Sequence, residues 1–479
     1  MNQNTFQSKQ FKDNLHRYEV ARKTGNSIYL EADELTDIAE FYHIHGQTKE
    51  AFEAIDVALQ IFPGAVEPMA FKARLALLVE SNVKLAMQYA DQIEDKHDLE
   101  YYYLMAEIML ADNRIDEASS YLESKEGQID SDDIDDFRLD VATLFADYDA
   151  FEFAEEWLNL CQDTSESDFQ ELRGRIEMSK GNYIICEKIF NKLIDKNPYG
   201  ISYWNLLAST LYLKNDISRS LECSEFSLAI NPDDTEAVLN KANCLAMLGN
   251  YAEAMDYYRL CKRLQPQSES GEMGIAAVLM AEEKLGEALE HWKAAETVCH
   301  PQSVNLPDIY RNECLVYAML GRFDDAFNCV AKLETVTSGS LPDILVLRGY
   351  LTLLANDTEK AKEYFNQAYD NSLEEEKDNT LWFISNCYFE CNHMSEANHL
   401  LRKLAASENS KNFNDLWTYL VRTDYELGLQ EEFLADLREA TKQNPYGIQR
   451  ELSDFFPKGM AVIDFYTYAV HHPITKKKK

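Results

Sequence analysis

Between residues 201 and 301 the apolar positions are not merely helical in spacing; they recur in blocks. Residues 201–234 carry Trp204, Ala208, Leu211, Ser220, Leu228 and Pro232. Residues 235–268 repeat the plan with Ala242, Leu245, Gly249, Tyr251, Ala254, Tyr258 and Pro266, and 269–302 follow with Ala276, Leu279, Ala288, Trp292 and Ala295. The period is 34 residues. Each block reads as two short amphipathic helices, the second ended near a proline or an Asn-Pro pair. Repetition at this period predicts stacked supersecondary units rather than separate globules.

The blocks resemble the tetratricopeptide repeat family. In that family the eighth and twentieth positions of each unit are small, because the two helices cross there. The twentieth position reads Ala51, Ala86, Ala118, Ala154, Cys186, Ser220, Ala254, Ala288, Ala326, Ala361, Ala397 and Phe433. The eighth reads Ala39, Ala106, Ala142, Gly174, Ala208, Ala242, Ala276, Cys314, Gly349 and Ser385, with Ala73 one residue out of phase and Val421 in the last unit. About twelve units then start near 32, 67, 99, 135, 167, 201, 235, 269, 307, 342, 378 and 414. Asn197-Pro198-Tyr199-Gly200 returns as Asn444-Pro445-Tyr446-Gly447, 247 residues later, which is seven periods plus nine spacer residues.

The expected fold is therefore all-α, a right-handed solenoid of stacked helix-turn-helix units with a concave and a convex face. Residues 1–31 form an N-terminal helix or cap, 32–166 repeats one to four, 167–306 repeats five to eight, and 307–447 repeats nine to twelve. Residues 6–24 place Phe6, Phe11, Leu15, Tyr18 and Ala21 at helical spacing before Gly25. Residues 448–479 read as capping helices, split by Pro457 and Gly459, and a tail of four lysines, Lys476 to Lys479. The apolar stretch 460–470 serves either as a terminal cap or as a surface for a second copy of the chain.

Composition narrows the function. Apolar residues make up 46% of the chain and charged residues 27%, enough to build a core. The net charge is −37, which repels phosphate, so neither nucleic acid nor an anionic membrane is an expected partner. Residues 91–170 alone hold 25 acidic and 4 basic side chains. They keep the surface solvated or offer a face to a basic partner. Asp130, Asp132, Asp133, Asp135 and Asp136 lack the spacing of a calcium loop. The first nine residues have no basic start with an apolar stretch behind it, so no secretory leader is expected. Ten scattered cysteines with no CxxC pair suit a reduced, cytoplasmic chain.

Catalytic and metal chemistry find little support. Cys387-x3-Cys391-x-His393 with His399 is the most metal-like cluster, but its ligand set is non-standard and His393 falls in a turn. His43-x-His45 precedes Gly46 and reads as turn residues. No Gly-rich phosphate loop, GxSxG elbow or HExxH is present. No segment longer than about 35 residues is left over for a catalytic domain once the repeats are assigned. The expectation is a non-enzymatic scaffold without cofactor or metal, binding a peptide or partner protein in its groove. A self-associating structural subunit is the alternative.

The resemblance also implies which residues line the groove. In the family these are the second, fifth, sixth, ninth, twelfth and thirteenth positions of each first helix. They correspond here to Asn205, Tyr212, Asn240, Asn243, Met247, Met273, Arg311 and Asn312, then Tyr350, Trp382, Phe383, Asn386, Phe389, Tyr419, Arg422 and Tyr425. Asparagine can pair with a peptide backbone of any sequence, and aromatic rings add apolar contact. The family's carboxylate-clamp slots hold Asn205, Ser209, Asn240, Ser270 and Gly274, without the basic residues that such a clamp needs.

Overall fold

The computed structural model describes residues 6, 8–25, 27, 29–301, 303–336, 341–413 and 415–473. The lysine tail and the extreme N-terminus lie outside the described residues. Among the described residues the secondary structure is α-helical, with three short 3-10 turns and no strand. The chain divides into two compact units, Met1–Val278 and Leu279–Lys479, with the boundary inside the helix Ser270–Ala281.

In the first unit the helix Lys9–Thr24 is capped by Ser8, whose hydroxyl accepts from the Phe11 amide at 3.1 Å, and it ends at a left-handed Gly25. It packs on the first repeat through Phe11 against Phe41 and Tyr18 against Tyr42. Helix pairs then begin at Ala32, Val66, Leu99, Ile134, Ser167, Ile201 and Thr235. Each first helix packs on its own second helix and on the next first helix. The second unit takes in Leu285–Val298 and pairs beginning at Leu306, Leu341, Lys377 and Leu416. It closes with the helix Pro445–Leu452, the turn Ser453–Phe455 and the helix Val462–His471, which packs on Gln430–Gln443.

The repeat pattern works through two kinds of position. The crossing residues are buried throughout, from Ala39 and Ala51 to Ala397 and Val421. Ala73 is the eighth residue of a helix that starts at Val66, which accounts for its shifted phase. A Cβ added at Gly174 or Gly349 would overlap the ring of Phe190 or Phe365, so large partner rings fill the space those glycines leave. At two crossings where serine or cysteine replaces alanine, the side chain hydrogen-bonds the opposing backbone. Ser220 Oγ donates to the Ala208 carbonyl at 2.7 Å, and Cys186 Sγ lies 3.5 Å from the Gly174 carbonyl.

The second kind of position is the turn. Left-handed backbone follows the first helix of every repeat, at Gly46, Ser81, Asn113, Asp149, Gly181, Asn215, Gly249, Glu283, Gly321, Asn356, Asn392 and Gly428. The next amide donates back to a carbonyl five residues earlier, as in Arg114 to Met109, Asp216 to Leu211 and Asn250 to Leu245, at 2.8–2.9 Å. This closure satisfies the last carbonyls of the first helix and reverses the chain in three residues. The last repeat keeps the plan with a larger residue: Phe433 is buried at the crossing and packs against Tyr425.

Candidate functional site

In the second unit, three successive first helices, Leu306–Met319, Leu341–Leu354 and Lys377–Glu390, together with Leu333 of Phe323–Val336, enclose a cavity of about 410 Å³. Of the residues expected from the sequence, it brings together Arg311, Tyr350 and Asn386, with Phe383 beside them. Its apolar wall is Leu333, Ile344, Val346 and Leu347, and Asp343, Cys387 and Glu390 complete it. Asp343, Val346, Leu347 and Glu390 stand at the second, fifth, sixth and thirteenth positions of their units. The register therefore holds the signal for them, but a search for asparagine and aromatic side chains passes them over.

The polar groups of the cavity are set by a few bonds. Tyr350 Oη donates to Glu390 Oε2 at 2.8 Å. Burial, then this bond to a carboxylate, holds the Tyr350 phenol well above its ordinary value. Burial likewise pushes the Cys387 thiol up, so this cysteine is a neutral wall residue and not a nucleophile. The Asn386 Oδ1 is buried and has no hydrogen-bond donor among the described residues. Phe383 keeps 51% of its surface exposed. Arg311 pairs loosely with Asp308 at 4.0 Å, and Asn312 Nδ2 donates to the Asp308 carbonyl at 2.8 Å, outside the cavity wall.

Other expected groove residues in this unit are engaged within the protein. Trp382 stacks on Tyr419 at 5.5 Å and 9° and lies 5.4 Å from Phe413, while Phe389 stacks on Tyr419 at 4.6 Å. These rings join neighbouring repeats. Arg422 departs from the expectation. Its guanidinium lies 4.4 Å above the Phe455 ring and 3.3 Å from Glu426, and Phe455 itself stacks on Tyr425 at 3.8 Å. The C-terminal segment thus covers the face that Arg422 was expected to offer to a ligand.

In the first unit Asn205 is also engaged within the protein. It is 2% exposed, and its amide donates to Asp234 at 2.9 Å and Glu236 at 3.3 Å. Asp234 caps the next helix by accepting from the Ala237 amide, so Asn205 ties one repeat to the next rather than facing a ligand. Asn243 Oδ1 accepts from Tyr258 Oη at 2.7 Å, and Asn240 Nδ2 reaches Ser209 Oγ at 3.4 Å; both remain half-exposed. The first helices of this unit also carry a series of carboxylates. Partial burial pushes Asp37, Glu40 and Glu171 up, and nearby Asp33 and Glu34 add to the shift at Asp37, as Asp168 does at Glu171. Arg74 answers part of this charge through Glu100 and through Glu107 at 2.7 Å, and Arg175 pairs with Asp147 at 2.6 Å.

Among the described residues no group of three or more His, Cys, Asp or Glu side chains is placed to hold a metal ion. Cys391 is half-buried with its thiol raised to about 11 by burial. No helix among them is long and apolar enough to cross a membrane. All ten cysteines are free thiols, seven of them buried.

Residues 205–269 match the sequence profile of the tetratricopeptide repeat family. Over 222 residues the chain is 24% identical to the human DnaJ homolog subfamily C member 7, a match that covers 44% of each protein. The chain thus spans less than half the length of that curated relative. Among solved structures, a chain of the APC/C hetero-tetramer Cut9-Hcn1 is 15% identical with a TM-score of 0.41, covering 94% of both chains. A tetratricopeptide repeat protein from Parabacteroides merdae is 17% identical with a TM-score of 0.41, over 53% of this chain and 98% of that one. No particular subfamily is indicated.

Proposed function

We propose that the chain is a non-enzymatic scaffold that holds a peptide segment of a partner protein on its first-helix faces; the succession of helix pairs and the tetratricopeptide match over residues 205–269 support this, because such repeats generally mediate protein–protein interaction. The observation that carries this reading is the cavity where Arg311, Tyr350, Phe383 and Asn386 converge in the second unit. It is open, apolar at the floor and polar at the rim, the usual composition of a recognition site. The half-buried carboxylates of the first unit favour a basic partner, whose approach would be steered by the −37 charge and weakened by salt. Buried free thiols suit a reducing compartment, and we place the protein in the cytoplasm.

The test compares proteins captured by the intact chain and by its Phe383→Ala variant. Phe383 is half-exposed, so the thermal midpoint should hardly move while specific partners are lost. Unchanged capture would remove the cavity from the recognition surface. Self-association through the last helix is the second reading, and one observation favours it. Phe465 and Ala469 are buried in the cap, yet Ile463 and Val470, seven residues apart, are 80% and 44% exposed. A chain that stays the same mass by light scattering before and after Ile463→Glu with Val470→Glu is not assembled by this helix.

A further inference from the structure

We propose that the cavity of the second unit is an anchor pocket for one bulky apolar side chain, phenylalanine or leucine, of a partner peptide that carries lysine or arginine next to it. This rests on the scaffold reading above and narrows it to a ligand chemistry. The size fits: about 410 Å³ is within the range that receives a large side chain and its backbone. The floor fits too. Ile344 and Val346 are buried aliphatic residues, and the exposed Phe383 ring at the edge would gain an apolar neighbour.

The polar groups choose the rest of the ligand. Asn386 has a buried carbonyl that lacks a donor, and an unpaired acceptor of this kind is costly until an N–H, such as that of a peptide, reaches it. On the rim, Glu390 is exposed and accepts from Tyr350. Arg311 is the cationic group of the wall, and Asp308 stands beside it. A partner carboxylate would meet Glu390, whereas a partner cation would be drawn to it and to the strongly acidic chain as a whole. Burial holds the Cys387 thiol and the Tyr350 phenol neutral, so neither adds charge to the wall.

The probe is the synthetic peptide acetyl-Gly-Ser-Lys-Phe-Lys-Ser-Gly-amide, followed by methyl NMR of the full chain at Ile344 and Val346. Titration should shift both methyls. Replacing phenylalanine by alanine in the peptide should weaken binding about tenfold or more, as expected for losing one buried aromatic side chain. Replacing both lysines by glutamate should abolish it. On the protein, Phe383→Ala and Glu390→Gln should each weaken binding severalfold, and only the second should remove most of the salt dependence.

Equal shifts from the alanine peptide, equal binding of the glutamate peptide, or still methyls at millimolar peptide would each overturn the proposal. So would methyl shifts that grow with protein concentration without peptide, which give the pocket to a second copy, or shifts on removing residues 474–479, which give it to the chain's own tail. If capture of natural partners depends on Phe383 while these peptides fail, the scaffold reading stands and the anchor chemistry falls.

Discussion

Exchanging Asp436 for asparagine should flatten the pH dependence of the last repeat and make it more stable at pH 8. Asp424 is 0% exposed, between the helices Met394–Ala405 and Gln430–Gln443. It accepts from Asn398 Nδ2 at 2.7 Å and from Arg402 Nη2 at 2.7 and 2.8 Å. The same guanidinium lies 2.8 Å from the Asp436 carboxylate. One cation thus serves two buried carboxyls. Burial first, then the hydrogen bond to Asp436, raises Asp424 to about 7, against the opposing pull of Arg402. The Asp424 proton then lies in its hydrogen bond with Asp436.

A carboxyl raised in the fold contributes stability that is complete below its unfolded value of 3.8 and is lost as pH climbs through about 7. A shift of this size is worth about 4 kcal/mol in full, and sharing within the cluster brings the measurable part nearer 2 kcal/mol. An asparagine amide at position 436 donates to Asp424 without needing that proton. The variant should therefore gain about 1–2 kcal/mol at pH 8 and change little at pH 5. Arg402→Met should do the reverse, costing about 3–5 kcal/mol at pH 8, because two carboxyls stay buried without their cation. Repeat stacks unfold piecemeal, so the readout is hydrogen exchange of the Leu416–Leu427 helix, corrected for the intrinsic rate at each pH. Wild-type protection that is flat from pH 5 to pH 8 would refute the shared proton. A D436N variant that loses as much at pH 8 as at pH 5 would refute it as well.

Gly274→Ala should lower the urea midpoint by an amount equivalent to about 1–3 kcal/mol, since the added methyl overlaps the Tyr258 ring. Glu283 holds a left-handed turn at φ 60° with a side chain that resists it, so Glu283→Gly should stabilise by about 0.5–1 kcal/mol in the same assay. Trp382→Ala should cost about 2–3 kcal/mol and speed exchange in the neighbouring Leu416–Leu427 helix, because its ring stacks on Tyr419; an unchanged exchange pattern would contradict the packing role.

Most of the fold can be read from the sequence because the helix crossings tolerate few residue types. Ala51, Ala118 and Ala254 announce themselves by size, and their burial follows. The turns are less legible. Seven of the twelve left-handed positions are not glycine, and Ser81 or Glu283 looks like any surface residue until the backbone is seen. The break between the two units is invisible in the sequence, because it falls inside the repeat that begins at 269, in phase with the one at 235. At the candidate site, position within the unit was informative but residue type misled. Asn205 and Asn386 are both asparagines on first helices. The amide of the first donates to Asp234, the cap of the next helix, whereas the second lines the cavity, and both keep a buried carbonyl without a donor among the described residues. That difference depends on a neighbour 29 residues away, which a single repeat does not reveal.

The C-terminal segment explains why the open surface of the second unit lies where it does. A solenoid must close its last repeat, or an apolar face stays exposed to water. Here the closure is done from two sides. Phe465 and Phe456, stacked at 3.9 Å, cover the second helix of the last pair, and Phe455 reaches round to Tyr425 and Arg422 on the first. The ninth and twelfth positions of the final unit are therefore occupied by the chain itself. Removing that ring by Phe455→Ala should uncover Arg422 and Tyr425 and extend the available face by one repeat. If the cap only filled space, exchange in the Leu416–Leu427 helix would rise with no change in partner binding. If it also sets the limit of the groove, the variant should bind longer basic peptides more tightly than the wild type does, despite being less stable.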